Sequence, residues 1–295
     1  MPELPEVETI RIGLSRLLPG LVIKAVDCPN PKSFVAGAGD VRSFLLGAKV
    51  LSVKRRGKVL LIELSSHYSL VIHLKMTGQL VFKGSSVHFG AGHPSKSLIG
   101  KLPDKSTRVI FSFSDGNKLY FNDQRKFGWV RLLPTTEVPN IKFMQKLGPE
   151  PLESDFNWQV LKARLSRRPN TNIKAALLDQ TVIAGIGNIY ADESLWGAKI
   201  HPQRLVRSLS DANIKNLHFA IVAVLLMSIE KGGSTDRNYV DADGKKGSYL
   251  RFAKVFRRDG QRCPRCNTEI IKIRVASRGT HLCPHCQKLP KVTGK

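Results

Sequence analysis

Apolar and polar residues alternate along much of the first half of the chain. Lys49-Val50-Leu51-Ser52-Val53-Lys54 has the period of two expected of a strand with one buried face. Lys58-Val59-Leu60-Leu61-Ile62-Glu63-Leu64 is a mostly apolar run of strand length, and Ser69-Leu70-Val71-Ile72-His73-Leu74 follows it. Arg108-Val109-Ile110-Phe111-Ser112-Phe113 runs into Ser114-Asp115-Gly116-Asn117, a turn sequence, and then into Lys118-Leu119-Tyr120-Phe121-Asn122. Short strands punctuated by turns predict a β-sandwich from about Lys24 to Leu133. Ahead of it, Val7, Ile10, Leu14 and Leu17 fall at helical spacing, with Pro5 in the first turn and Gly20 past the end. Residues 84–106 are rich in Gly, Ser, Pro and Lys and read as a loop that interrupts the strands.

The period changes after residues 134–151, a proline-containing stretch without periodicity that reads as a linker. Trp158–Leu165, Ile173–Leu178, Ile189–Trp196 and Ser210–Glu230 have helical spacing, and strand alternation disappears. The expected order is α+β and multidomain. A β domain spans 2–133, a helical domain 152–232, a Gly- and Lys-rich region 233–260, and a cysteine module 261–290.

Charge narrows the function. Lys and Arg number 47 against 23 Asp and Glu, a formal net charge of +24, in a chain of otherwise globular composition with 42% hydrophobic residues. An enzyme of small neutral metabolites has no use for such a field, whereas a polyanion partner explains it, and nucleic acid is the commonest. The longest apolar run, Phe219 to Ile229, is shorter than the ~20 residues that cross a bilayer. The acidic N-terminus lacks the basic and apolar regions of a signal peptide. The expectation is a soluble, cytoplasmic, monomeric protein with no membrane partner.

Four of the five cysteines form Cys263-Pro264-Arg265-Cys266 and Cys283-Pro284-His285-Cys286. This spacing suits a four-cysteine zinc site in a reducing compartment, with two disulfides or an iron–sulfur cluster as alternatives. Between the pairs, Ile270-Ile271-Lys272-Ile273-Arg274-Val275 alternates and then turns, so a hairpin brings the pairs together. With no ligand position open, one Zn2+ is structural.

The first residues are unusual. Pro5 and the acidic residues after Pro2 suit a helix N-terminus on their own. Pro2 suggests more, because methionine before so small a residue is normally excised and leaves a free secondary amine. An α-amino group has a pKa near ~8, far below lysine, so part of it is unprotonated at neutral pH. Such an amine can attack a sugar carbon and form an iminium. Glu3 beside it can shuttle protons, and Glu6 one turn on can position the helix or the amine.

Met1-Pro2-Glu3-Leu4-Pro5-Glu6-Val7-Glu8-Thr9 resembles the opening of the bacterial formamidopyrimidine-DNA glycosylases. The resemblance continues through Arg55-Arg56-Gly57-Lys58, His73-Leu74-Lys75-Met76-Thr77-Gly78, Arg125-Lys126-Phe127-Gly128, Leu147-Gly148-Pro149-Glu150-Pro151-Leu152, Gly185-Ile186-Gly187-Asn188-Ile189-Tyr190-Ala191-Asp192-Glu193 and the cysteine module. It implies a two-layer β-sandwich with an N-terminal helix, a helix–two-turn–helix domain and a zinc finger. It also implies excision of 8-oxoguanine and formamidopyrimidines from duplex DNA, followed by β,δ-elimination at the abasic site.

On that resemblance Pro2 is the nucleophile, Glu3 the acid/base, and Glu6 and Lys58 support the site, Lys58 by holding a phosphate. His73, Arg125, Lys174, Asn188 and Arg278 contact DNA. Met76, Arg125 and Phe127 enter the gap left when the damaged base is turned out. Read alone, Lys58 is an edge-strand lysine, His73 a core histidine, Met76 and Phe127 core residues, and Asn188 part of a tight turn or a phosphate site at a helix N-terminus.

Two segments depart from the family. Residues 83–106 are longer than usual and lack its His-x-His pair, and the lesion-capping loop of 233–260 is divergent in its middle. The rivals are an endonuclease VIII-like glycosylase for oxidised pyrimidines and a zinc-bearing DNA-binding protein without catalysis. Leu4 disfavours the first, which usually has glycine there, and Pro2, Glu3 and Glu6 disfavour the second.

Overall fold

The alternating segments of the first half fold into two five-stranded sheets. A computed structural model of the chain describes residues 2–85, 87–93, 95–234 and 249–289. The strands are β1 (Ile23–Asp27), β2 (Phe34–Val35), β3 (Val50–Arg56), β4 (Val59–Leu64), β5 (Tyr68–His73), β6 (Gly78–Lys83), β7 (His88–Gly92), β8 (Thr107–Phe113), β9 (Lys118–Asp123) and β10 (Trp129–Pro134). One sheet has the order β1-β8-β9-β6-β7, the other β2-β10-β5-β4-β3. All pairs are antiparallel except β2 with β10. The chain divides into two units, Met1–Gln145 with Ile229–Tyr249, and Lys146–Ser228 with Leu250–Lys295.

Alternation decides what enters the core of the first unit. Leu60 and Ile62 from β4, Leu70 and Ile72 from β5, Leu80 and Phe82 from β6 and Phe111 and Phe121 from β8 and β9 lie in one buried cluster. Helix α1 (Leu4–Leu17) adds Val7, Ile10 and Leu14, the stripe read from the sequence. Each such side chain contributes about 1.5–3 kcal/mol relative to exposure. This packing, more than intrinsic propensity, holds α1 and fixes its first turn in space.

The reading of 84–106 as loop needs correction, because β7 lies inside it and pairs with β6 from Gln79↔Gly92 to Lys83↔His88. Phe89 and Ala91 carry the alternation, but the glycines around them mask it. Phe89 docks on α1 at Gly13, where an added Cβ would stand 2.3 Å from its ring. Only glycine admits that approach.

The second unit is helical, with α2 (Trp158–Leu165), α3 (Ile173–Leu178), α4 (Asn188–Gly197) and α5 (Asp211–Glu230). Asn157 and Asn172 cap α2 and α3 by accepting backbone N–H bonds at 3.0 and 2.8 Å. By length and composition α5 could span a membrane, unlike the shorter apolar run read from the sequence. Its Ile214, Leu217, Ile221 and Leu225 are buried in the protein. A hairpin of β11 (Ile271–Val275) and β12 (Arg278–Leu282) follows, as the alternation before the second cysteine pair predicts.

Candidate functional site

The start of α1 brings together the residues singled out at the N-terminus. Pro2 and Glu3 are buried, and Glu3 and Glu6 form a capping box. Glu6 Oε2 accepts the Glu3 N–H at 2.8 Å, while Oε1 accepts the Ser234 N–H at 2.8 Å. One carboxylate therefore ties the first turn to the segment that enters the expected lesion-capping loop. Residues 235–248 of that loop lie outside the described residues; its flanks meet where Tyr249 N–H donates to the Gly233 carbonyl at 3.1 Å.

Lys58 is buried just before β4, whose first residue, Val59, is registered opposite His73. His73 accepts the Lys75 N–H at Nδ1 (3.0 Å) and packs its ring beside Trp129 and Phe143. Burial, then the charges of Lys75 and Lys58, pull its pKa down to about 3. With Nδ1 occupied as an acceptor, the neutral ring carries its proton on Nε2. His73 can thus offer a ligand a neutral hydrogen bond, not a positive charge.

Met76, Arg125 and Phe127 occupy two exposed turns of this unit. Phe127 is 56% exposed, with the Arg125 guanidinium 4.9 Å from its ring centre. Each turn holds a lysine in the left-handed region, Lys75 at φ 51° and Lys126 at φ 60°. Such conformations cost about 1 kcal/mol or more for non-glycine residues and mark backbones held by their surroundings. The holder is Asp123, which sequence reasoning passed over. Its only sequence signal is an acid two residues before Arg125 in a very basic chain.

In the second unit Asn188 opens α4, and its Nδ2 donates to the Gly279 carbonyl at 3.0 Å. Arg278 is exposed at the start of β12, next to a two-residue turn, Ala276-Ser277, with both φ angles positive (51° and 59°). That is the backbone a tight hairpin requires, and it projects an arginine from the rim. The helix N-terminus and this rim lie side by side through the Asn188–Gly279 bond, an arrangement suited to phosphate.

Lys174 is a correction. Expected on DNA, it is fully buried, with Nζ 2.6 Å from Asp192 Oδ1, 2.7 Å from Thr280 Oγ1 and 3.2 Å from the Gly279 carbonyl. A buried ammonium needs this full set of oxygens, so it has no reach to a phosphate. Asp192 uses its other oxygen for the His281 N–H at 2.9 Å. Glu193, also buried, accepts the N–H groups of Lys254, Val255 and Phe256 at 2.8–2.9 Å. Burial pushes its carboxyl pKa up against the pull of those three amides. The sequence displayed Asp192 and Glu193 only as part of a motif; both turn out to anchor the cysteine module and its approach to α4.

The four cysteine sulfurs lie within 4.8 Å of one another. Pairs stand 3.4 Å (Cys266–Cys283) and 4.0 Å (Cys263–Cys286) apart. A zinc with 2.3 Å bonds sets tetrahedral sulfurs about 3.8 Å apart, whereas a disulfide needs about 2.05 Å, so the donor set fits zinc and not disulfides. The Trp196 side chain packs against the cysteine cluster. Cys263, Cys266, Cys283 and Cys286 would hold one Zn2+ as a cross-link between the two turns.

Comparison with known proteins covers nearly the whole chain. Residues 1–130 match the formamidopyrimidine-DNA glycosylase N-terminal domain, 147–239 the formamidopyrimidine-DNA glycosylase H2TH domain, and 260–289 the zinc finger found in FPG and IleRS. The chain is 43% identical to the formamidopyrimidine-DNA glycosylase of Pelotomaculum thermopropionicum over 98% of its own length and 100% of the relative's. The enzyme of Desulforamulus reducens is 42% identical, with 98% and 99% covered. Among solved structures, a Lactococcus lactis FPG mutant in complex with Fapy-dG-containing DNA superposes with a TM-score of 0.86 at 35% identity, covering 98% of this chain and all of that one. The L. lactis Fpg complex with abasic-site DNA gives 0.85 at 35% identity, covering 97% and 100%.

Proposed function

This chain belongs to the formamidopyrimidine-DNA glycosylase family, and from that premise we propose that it excises 8-oxoguanine and formamidopyrimidines from duplex DNA and then cleaves the abasic strand. The observation that carries the reading is the tied first turn of α1, with Pro2, Glu3 and Glu6 together, in a chain related to these enzymes from end to end.

The chemistry follows from those residues. The Pro2 nitrogen, freed of Met1, attacks C1′ of the damaged nucleotide, while Glu3 gives a proton to the ring oxygen as the sugar opens. The base leaves with the pair of electrons of the glycosidic bond and a proton, and the iminium on Pro2 acidifies the C2′ hydrogen. Loss of that proton expels the 3′ phosphate; a second elimination expels the 5′ phosphate. Glu6, bonded to Glu3 and Ser234, positions the turn. We assign Lys58 to a phosphate near the lesion, the role the family resemblance implies.

Turning out a base costs a few kcal/mol, and we assign Met76, Arg125 and Phe127 to the vacated space. Asn188, Arg278 and His73 bind the backbone. Zinc contributes the cross-link of the module that carries Arg278 and takes no part in the reaction. We place the protein in the cytoplasm with the chromosome, acting as a monomer.

Borohydride reduction tests the reading. The protein should be trapped on duplex DNA containing 8-oxoguanine, and Pro2→Gly should abolish trapping without loss of fold. Undiminished trapping by that variant would overturn it. Because wild-type L. lactis FPG has been solved with DNA containing an oxidised pyrimidine, the duplexes should include one, and preferential trapping there would favour the second reading.

A further inference from the structure

We propose that Asp123, the last residue of β9, is a positioning residue that locks the two exposed turns into one rigid wedge for base eversion. The proposal rests on the assignment of Met76, Arg125 and Phe127 to the vacated space.

The carboxylate is fully buried. Its Oδ1 accepts the Thr77 hydroxyl and the Arg125 N–H, the latter at 3.2 Å. Its Oδ2 accepts the Gly128 N–H at 2.6 Å. Thr77 Oγ1 also accepts the Arg125 N–H at 3.0 Å, which closes the network. One side chain thus reaches the residue after Met76 and both ends of the Arg125–Phe127 turn. In register Asp123 stands directly opposite Gly78, so the two turns spring from the ends of neighbouring strands.

Chemistry explains the residue type. Three donors converge, and an ionised carboxylate is an acceptor at both oxygens, whereas asparagine would set an amide donor against one of them. There is no room for slack: at Gly128 an added Cβ would lie 2.7 Å from the Phe121 ring and 3.1 Å from Asp123 Oδ2. A preorganised wedge enters the stack without ordering its backbone on DNA, which removes an entropic cost from eversion. Asp123 should therefore matter most when a stacked base must be displaced, and much less for elimination at a site that has already lost its base.

Single-turnover rates of the full-length, zinc-loaded protein test this on two duplexes, one carrying 8-oxoguanine and one a preformed abasic site. Asp123→Asn should slow excision about tenfold to hundredfold, the range expected when a buried donor loses its acceptor. Strand cleavage at the abasic site should stay close to the parent rate. Thr77→Val should show a smaller loss in the same direction, and Thr77→Ser should restore most of it. Equal slowing on both duplexes, or none on either, overturns the proposal; should Asp123→Asn fail to fold, equal excision by the two Thr77 variants overturns it. Met76→Ala and Phe127→Ala separate the layers. If they leave excision untouched, the wedge assignment itself fails; if they slow it and Asp123→Asn does not, only Asp123 is wrong.

Discussion

The buried carboxylates that hold turns of the first unit and the buried ion pair of the second are held in opposite ways. In the first, Glu6 and Asp123 are held by backbone N–H groups and, for Asp123, a hydroxyl. In the second, Lys174 and Asp192 form a sealed ion pair that also engages Thr280 Oγ1, the Gly279 carbonyl and the His281 N–H. Glu6 and Asp123 fix the turns that carry Pro2, Glu3, Met76, Arg125 and Phe127, whereas Glu193, amide-held in the second unit, fixes residues 254–256. The sealed pair positions nothing that reacts; it fastens the cysteine hairpin to α3 and α4. Among 47 basic residues the fold separates two cases: Lys174 is fully buried in an ion pair, whereas Arg278 is exposed.

The sharpest way to break that contrast is to remove a member of the sealed pair. Lys174→Met leaves Asp192 buried without its cation, and unfolding by denaturant should show a loss of about 3–5 kcal/mol. A second change, Asp192→Leu, should recover part of it. A neutral effect of Lys174→Met, paired with a DNA-binding defect in the intact fold, would return Lys174 to the nucleic-acid surface.

Next in size is the metal. Chelation of zinc, or Cys263→Ser, should loosen the hairpin and lower DNA affinity, because a structural zinc supplies folding energy to the module that bears Arg278. Unchanged affinity after verified metal loss would detach that module from binding.

The smallest effect is the most specific. Arg278→Ala should reduce the slope of log affinity against log salt by about 0.9, the value for one phosphate contact. His73→Ala should weaken binding with no change in slope, since the imidazole is neutral at Nδ1 and its pKa is held near about 3. Affinity carried by His73 should also be flat between pH 8 and pH 5, far above that pKa. A slope change with His73→Ala would mean the ring binds as a cation.

Much of this was legible in the sequence, and the exceptions share a cause. Alternation disclosed β3, apolar segments either side of a turn sequence disclosed β8 and β9, the apolar stripe disclosed α1, and cysteine spacing disclosed the metal site because all ligands are local. β7 escaped because three of its five residues are His or Gly and its alternation rests on Phe89 and Ala91 alone. Lys174 was misread because its partners lie 18 residues away at Asp192 and 106 away at Thr280, a distance over which a lone cation on a helix looks like surface. Asp123, Asp192 and Glu193 were missed for a related reason. Most of their partners are main-chain amides, which leave no trace in residue type.

The central claim is that the Pro2 nitrogen forms the bond to the sugar. Peptide mapping by mass spectrometry of the borohydride-trapped complex tests it most directly. The adduct should sit on the peptide that begins at Pro2, with Met1 absent. An adduct on Lys58 or any other lysine, or an active protein that retains Met1, would contradict it.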